Sequence, residues 1–196
     1  MQALLKMSRF VDNLNERVGR TVYWLVLAMV LISAGNAIVR KVFNYSSNSF
    51  LEMQWYLFSA VFLLCGGYVL LKNEHVRIDV IAGRLSARAQ AWIDILGTLF
   101  FLLPMAVAFL WLSWPIFIRT YMQHEISGSA GGLVIWPARL LVPIGFALLV
   151  LQGLSELVKR VAFVSGKGPD PVLRHEQHSA EAELAEEIRR LAEGKS

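Results

Sequence analysis

The sequence predicts an all-α integral membrane protein with four transmembrane helices, both termini cytoplasmic, and amphipathic interfacial helices beside the spans. Two observations carry this. Of the 196 residues, 56% are hydrophobic and 17% are charged, against about 45–50% and about 25% in an ordinary soluble domain. The apolar residues also fall in four long blocks separated by every cluster of charge, an arrangement that a single water-soluble core does not accommodate. A soluble enzyme is therefore disfavoured from the start. The one cysteine, Cys65, lies inside an apolar block, so no intramolecular disulfide can form and a CxxC zinc or redox site is excluded. The pI near 9.4 does not imply nucleic acid, because the basic residues flank the apolar blocks and read as topology signals.

A helix needs about 20 mainly apolar residues to cross a hydrocarbon core of roughly 30 Å. Four segments qualify, over residues 22–39, 50–71, 91–118 and 133–158. The first two lack proline. The third is longer than a perpendicular crossing requires and holds Pro104 and Pro115, which predicts tilt or a kink. The fourth carries Pro137 and Pro143 near its start, where a missing N–H is best tolerated. Twenty mostly polar residues precede the first span and no A-x-A site follows promptly, so a cleaved signal peptide fits poorly and the span is expected to be retained. Of the 19 Lys and Arg, fifteen fall before span one, between spans two and three, or after span four. By the positive-inside rule both termini face the cytoplasm, with Arg40 and Lys41 as a small opposing signal.

The pieces between spans have their own patterns. In residues 1–21, Leu4, Met7, Val11, Leu14 and Val18 recur at helical spacing among Lys6, Arg9, Arg17 and Arg20. This predicts an amphipathic helix that lies in the headgroup layer against anionic lipid or packs on a partner. The second loop mixes Val76, Ile78, Val80, Ile81 and Leu85 with charge, suggesting a short interfacial element, and Ser86 is placed to cap the third helix. Residues 159–196 form a polar cytoplasmic tail. Within it, 179–193 has a narrow apolar stripe and charges that suit the helix dipole, the pattern of a short partner-dependent helix. No internal repeat is present.

Charges inside spans are costly and are functional candidates by default. Glu52, Trp55, Tyr56 and Ser59 lie at i, i+3, i+4 and i+7, on one side of span two. Two compatible readings apply: Glu52 pairs with Arg40 across the short hairpin, or the face docks a second membrane protein. Arg139 lies about two turns into span four, where it snorkels to headgroups or pairs with Glu52 or a partner subunit. Asp94 opens span three on the side where Lys159 and Arg160 close span four, which favours a structural ion pair; Glu156 reads as a boundary residue. Asn36 with Ser33 and Gly35 suits helix packing or an interhelical hydrogen bond, and Gly66-Gly67 permits close helix approach. The tryptophans mostly fall near span ends, as an interfacial belt. All four histidines (His75, His124, His175 and His178) lie outside the spans, so a haem held between transmembrane helices is disfavoured. His75 and Asp79 stand at i, i+4, but two ligands make no metal site, and no Ser/His/Asp grouping, Walker loop or HExxH motif occurs. Neither catalytic residues, nor a bound cofactor, nor a metal site is expected in this chain.

The stretch FLEMQWYLFSAVFLLCGGYVLLKNEHVRIDVI resembles the small membrane subunit (the DctQ-like small permease) of tripartite ATP-independent periplasmic (TRAP) transporters. The elements are a glutamate opening span two, aromatics just after it, and a polar turn with a histidine followed by an aspartate: Glu52, Trp55, Tyr56, His75 and Asp79. Arg40 before an aromatic-containing loop and the four-span layout fit as well, while the polar tail lies outside the resemblance. It implies a place in the bacterial inner membrane and two protein partners besides the membrane lipids: a large multi-span permease that houses the sodium ions and substrate, and a periplasmic substrate-binding protein that delivers an organic acid. No nucleic acid is implied. The small subunit would be a fixed scaffold that anchors the large one during sodium-coupled uptake. The competing reading is a self-sufficient small channel or carrier built on Glu52, Arg139 and Asp94; a membrane-embedded enzyme or redox subunit is a third.

Overall fold

The structure is a computed structural model and describes residues 2–44, 47–72 and 86–166. Four helices in it are long and apolar enough to cross a membrane. We label them α1 (Gln2–Phe43), α2 (Asn48–Leu71), α3 (Ala87–Met122) and α4 (Trp136–Val164). The described residues contain no strand, only an isolated antiparallel bridge between Ile126 and Val134 in the α3–α4 loop. The interfacial element expected around Val76 to Leu85 and the helix expected over 179–193 lie outside the described residues, as do His75 and Asp79.

The first difference from expectation is in α1. The amphipathic segment 1–21 and span one form a single helix of 42 residues, with no boundary at residues 21 and 22. The change there is one of surroundings, from charged to apolar flanks, and Thr21, Val22 and Tyr23 include no residue that breaks a helix. At about 1.5 Å per residue α1 is about 63 Å long, roughly twice a hydrocarbon core. In α3, Ser86 caps the start by accepting the Ala89 N–H at 3.3 Å. The irregularity expected from proline is a turn of π-helix at Thr98–Leu102. Pro104 follows directly, has no N–H to donate and crowds the carbonyl four residues back, so a widened turn accommodates it. Pro115 is carried inside regular helix. Pro143 is also interior to α4, not in its first turn, and is buried.

Helix α4 packs against each of the other three, and α2 also packs on α1. Ser8 lies beside Ser155, Glu16 beside Lys72, and Asn48 beside Ala130, so the helices alternate in direction. The start of α1 and the end of α4 therefore share one end of the bundle, the proximal end; the α3–α4 loop marks the distal end. Close approach of α2 and α4 depends on glycine. A Cβ on Gly145 would stand 2.7 Å from the Leu63 carbonyl oxygen, and one on Gly67 would overlap the Asn15 side chain. Gly66 faces open space instead. It lines an apolar groove of about 590 Å³ over α4, together with Phe62, Cys65, Met105, Phe146 and Leu149. Large side chains such as Phe101, Trp111 and Leu31 point outward, as lipid contact requires.

Candidate functional site

Polar side chains collect at the two ends of α4. Gln152 and Arg139 are thirteen positions apart, and the stretch between them, LLVPIGFALLVL, has no polar side chain.

At the distal end the first turns of α2 hold the α3–α4 loop. Glu52, although in a helix of membrane-spanning length, is buried. Its carboxylate accepts the Leu133 N–H at 2.7 Å and the Ser127 hydroxyl. Asn48 donates to the Ala130 carbonyl at 3.2 Å, Ser49 to that of Gly131, and Tyr56 to that of Val134 at 3.1 Å. The loop supports itself through Ser127 N–H to Leu133 O at 2.9 Å and Ile135 N–H to Glu125 O at 3.0 Å. From the other side, Arg139 of α4 donates to Glu125 at 2.6 and 3.1 Å, a two-pronged contact, and also to Thr120 at the end of α3. Two carboxylates thus fix one loop to three helices.

Several sequence-predicted residues take other positions here. Glu52 bonds the loop and not Arg40, which is exposed in the last turn of α1. Arg139 pairs not with Glu52 but with Glu125, a loop residue that hydropathy does not single out. The Glu52 face is also split. Tyr56 faces the loop, Ser59 is half-buried, and Trp55 at the opposite edge of the arc is 72% exposed.

At the proximal end α1 and α4 meet through a polar seam. The Ser8 and Ser155 hydroxyls lie 2.7 Å apart. Asn15, fully buried, donates to Gln152 at 2.9 Å; Gln152, equally buried, donates to Asp12 at 2.9 Å and Glu156 at 3.1 Å. Lys159 then joins the two acids, at 3.1 Å to Asp12 and 2.5 Å to Glu156. Next to this seam Arg160 donates to Asp94, tying α4 to α3. Glu156, which the sequence places one turn from the end of the span, is buried within this seam. The N-terminal part of α1 packs on its own chain, along Ser8, Val11, Asn15 and Val22. That face is rotated from the apolar one, leaving Leu4 and Met7 exposed. A signal for it exists in the sequence. Ser8, Asp12 and Asn15 share a helix face, as do Gln152, Ser155, Glu156 and Lys159.

Chemically, these acids act as hydrogen-bond acceptors that hold helices and a loop. Among the described residues no group of three or more His, Cys, Asp or Glu is arranged to hold a metal ion. Asn15 and Asn36 each keep one buried amide oxygen without a partner, so the Asn36 patch makes no interhelical bond through that atom.

Neither the curated proteins nor the solved structures yield a match to this chain. Residues 29–163, however, match the family described as tripartite ATP-independent periplasmic transporters, DctQ component. The matched region holds the distal loop, all of its ties and the α4 half of the seam, in a family of transporter components and not of enzymes. The chain therefore belongs to the DctQ family and is a small membrane component of a TRAP transporter.

Proposed function

We propose that this chain is the stationary small permease subunit of a bacterial inner-membrane TRAP transporter. It scaffolds and anchors the large transport subunit during sodium-coupled uptake of an organic acid handed over by a periplasmic binding protein. In this reading the termini lie in the cytoplasm, the proximal seam sits at the cytoplasmic boundary and the loop held by Glu52 and Arg139 faces the periplasm. The observation that carries the scaffold role is where the polar groups are spent. At both ends of α4 the charged side chains are bonded to one another, fastening helices and loop, and the middle of α4 is apolar. A bundle tied at both ends suits a part that stays still while its partner moves.

Reconstitution tests this directly. Vesicles with this chain alone should show no uptake. Adding the large membrane component and the loaded binding protein should give uptake that needs a sodium gradient. Flux through the chain alone would instead establish a self-sufficient channel or carrier. With all three components present, Glu52→Ala should lower uptake or subunit association, whereas Gln123→Ala, on the exposed flank of the same loop, should change neither.

A further inference from the structure

We propose that the face of α1 turned away from α4 binds anionic phospholipid headgroups in the leaflet at the proximal end of the bundle. The first reason is a segregation of charge. Three of the acids there point inward, Asp12 and Glu156 to meet Lys159 and Asp94 to meet Arg160, while Glu16 lies on the flank towards Lys72 of α2. The cations of α1 point outward. Lys6, Arg9 and Arg17 are exposed and have no ion-pair partner among the described residues. Arg20 has a side chain 77% exposed and is matched by Glu16 of the same helix.

The second reason is register. Ser8, Val11, Asn15 and Val22 face the bundle and are buried. With about 100° of rotation per residue, Lys6, Arg9, Arg17, Arg20 and Trp24 fall on the opposite side. Read upward from its start, that side carries the four cations, then exposed Trp24 with Tyr23 on its flank, then exposed Leu27, Leu31 and Ile38. Headgroup, interface and acyl chain follow one another in this order in a leaflet. An acidic protein or a nucleic acid would match the cations but not the aromatic and apolar residues that continue them.

The third reason is length. A helix of about 63 Å overfills a core of roughly 30 Å, so much of α1 lies at headgroup depth or beyond. The bonds from Ser8 and Asn15 to α4 hold that part alongside the bundle, not flat on the membrane. Its outer face then looks sideways into the headgroup layer. This lipid contact does not depend on assembly with a transport partner.

The test uses the full chain, delipidated in neutral detergent, incubated with phosphatidylglycerol or phosphatidylcholine and passed over gel filtration, with the retained lipid counted. We expect phosphatidylglycerol to be held about tenfold more tightly. The preference should shrink at about 1 M salt, where the screening length falls to about 3 Å. The combined Lys6→Gln, Arg9→Gln, Arg17→Gln and Arg20→Gln variant should hold the two lipids alike. A milder Arg9→Gln and Arg17→Gln variant should fall between and serves if the larger change prevents folding. Equal retention of both lipids by the natural sequence overturns the proposal. So does a salt-insensitive preference, or a preference that survives both variants. A further overturning result is lost association with another transporter component while the lipid preference is unchanged, since the face would then belong to a protein.

Discussion

Glu52, one turn into α2, accepts the backbone N–H of Leu133 across 81 positions of sequence, at 2.7 Å. A charged acceptor makes this stronger than a neutral bond, and the same carboxylate also takes the Ser127 hydroxyl. Glu52→Ala leaves both donors without their acceptor, at a cost of about 1–3 kcal/mol. We predict a lower unfolding temperature in detergent and faster protease cleavage between residues 123 and 135. Glu52→Gln retains one acceptor oxygen and should fall between. Cleavage of Glu52→Ala at the rate of the natural sequence would show that the loop is held by something else.

The contact of Arg139 with Glu125 is two-pronged, a geometry that lysine cannot reproduce. Arg139→Lys should therefore behave more like Arg139→Ala than like the natural sequence. Because the two side chains are 35% and 37% exposed, the coupling is modest, and a double-mutant cycle should return about 1 kcal/mol. Additive effects of Arg139→Ala and Glu125→Ala, read from detergent unfolding, would mean that the pair contributes nothing beyond its members.

Hydropathy and charge locate the four helices because each apolar block is long enough to cross a membrane and ends where charge begins. The cap at Ser86 is legible for a similarly local reason. Asp94 and Arg160 can be placed at one end of the bundle from topology alone. Tertiary register is another matter. Nothing local to Arg139 indicates that a loop residue fourteen positions earlier folds back on it. The α1–α4 seam is hidden differently. Near a membrane boundary, polar residues such as Asp12 and Glu156 are expected in solution, and position along the axis says nothing about which face they occupy. The unbroken α1 is missed because a change from charged to apolar neighbours resembles a domain boundary although the backbone has no reason to stop.

Glycines one position apart should respond in opposite ways. A methyl group on Gly145 would press on the Leu63 carbonyl oxygen, and backbone cannot move aside unless α2 and α4 separate. A methyl on Gly66 meets nothing within 4 Å. Gly145→Ala should destabilise the bundle by about 1–3 kcal/mol. Gly66→Ala should be neutral or stabilising by up to about 1 kcal/mol, through helix propensity. Gly67→Ala should resemble Gly145→Ala, since it displaces the buried Asn15 side chain. Unfolding of the three variants in one detergent decides the order, and equal stability of Gly66→Ala and Gly67→Ala would contradict the packing described.

Gln152 is the branch point of the proximal seam, receiving from Asn15 and donating to Asp12 and Glu156. Gln152→Leu keeps the volume but removes every one of those bonds. It leaves the Asn15 amide only a long 3.4 Å contact with the Val11 carbonyl, Glu156 only Lys159, and Asp12 only Lys159 and the Ser155 hydroxyl. We expect a loss of about 1–3 kcal/mol. Gln152→Glu should be worse at neutral pH, because it sets a third carboxylate beside Asp12 and Glu156 and withdraws the donor between them. Acidifying the solution should narrow the gap between Gln152→Glu and the natural sequence as that carboxylate takes up a proton and regains a donor. Detergent unfolding at several pH values measures this, and a gap that does not change with pH would mean that the third carboxylate does not meet the other two.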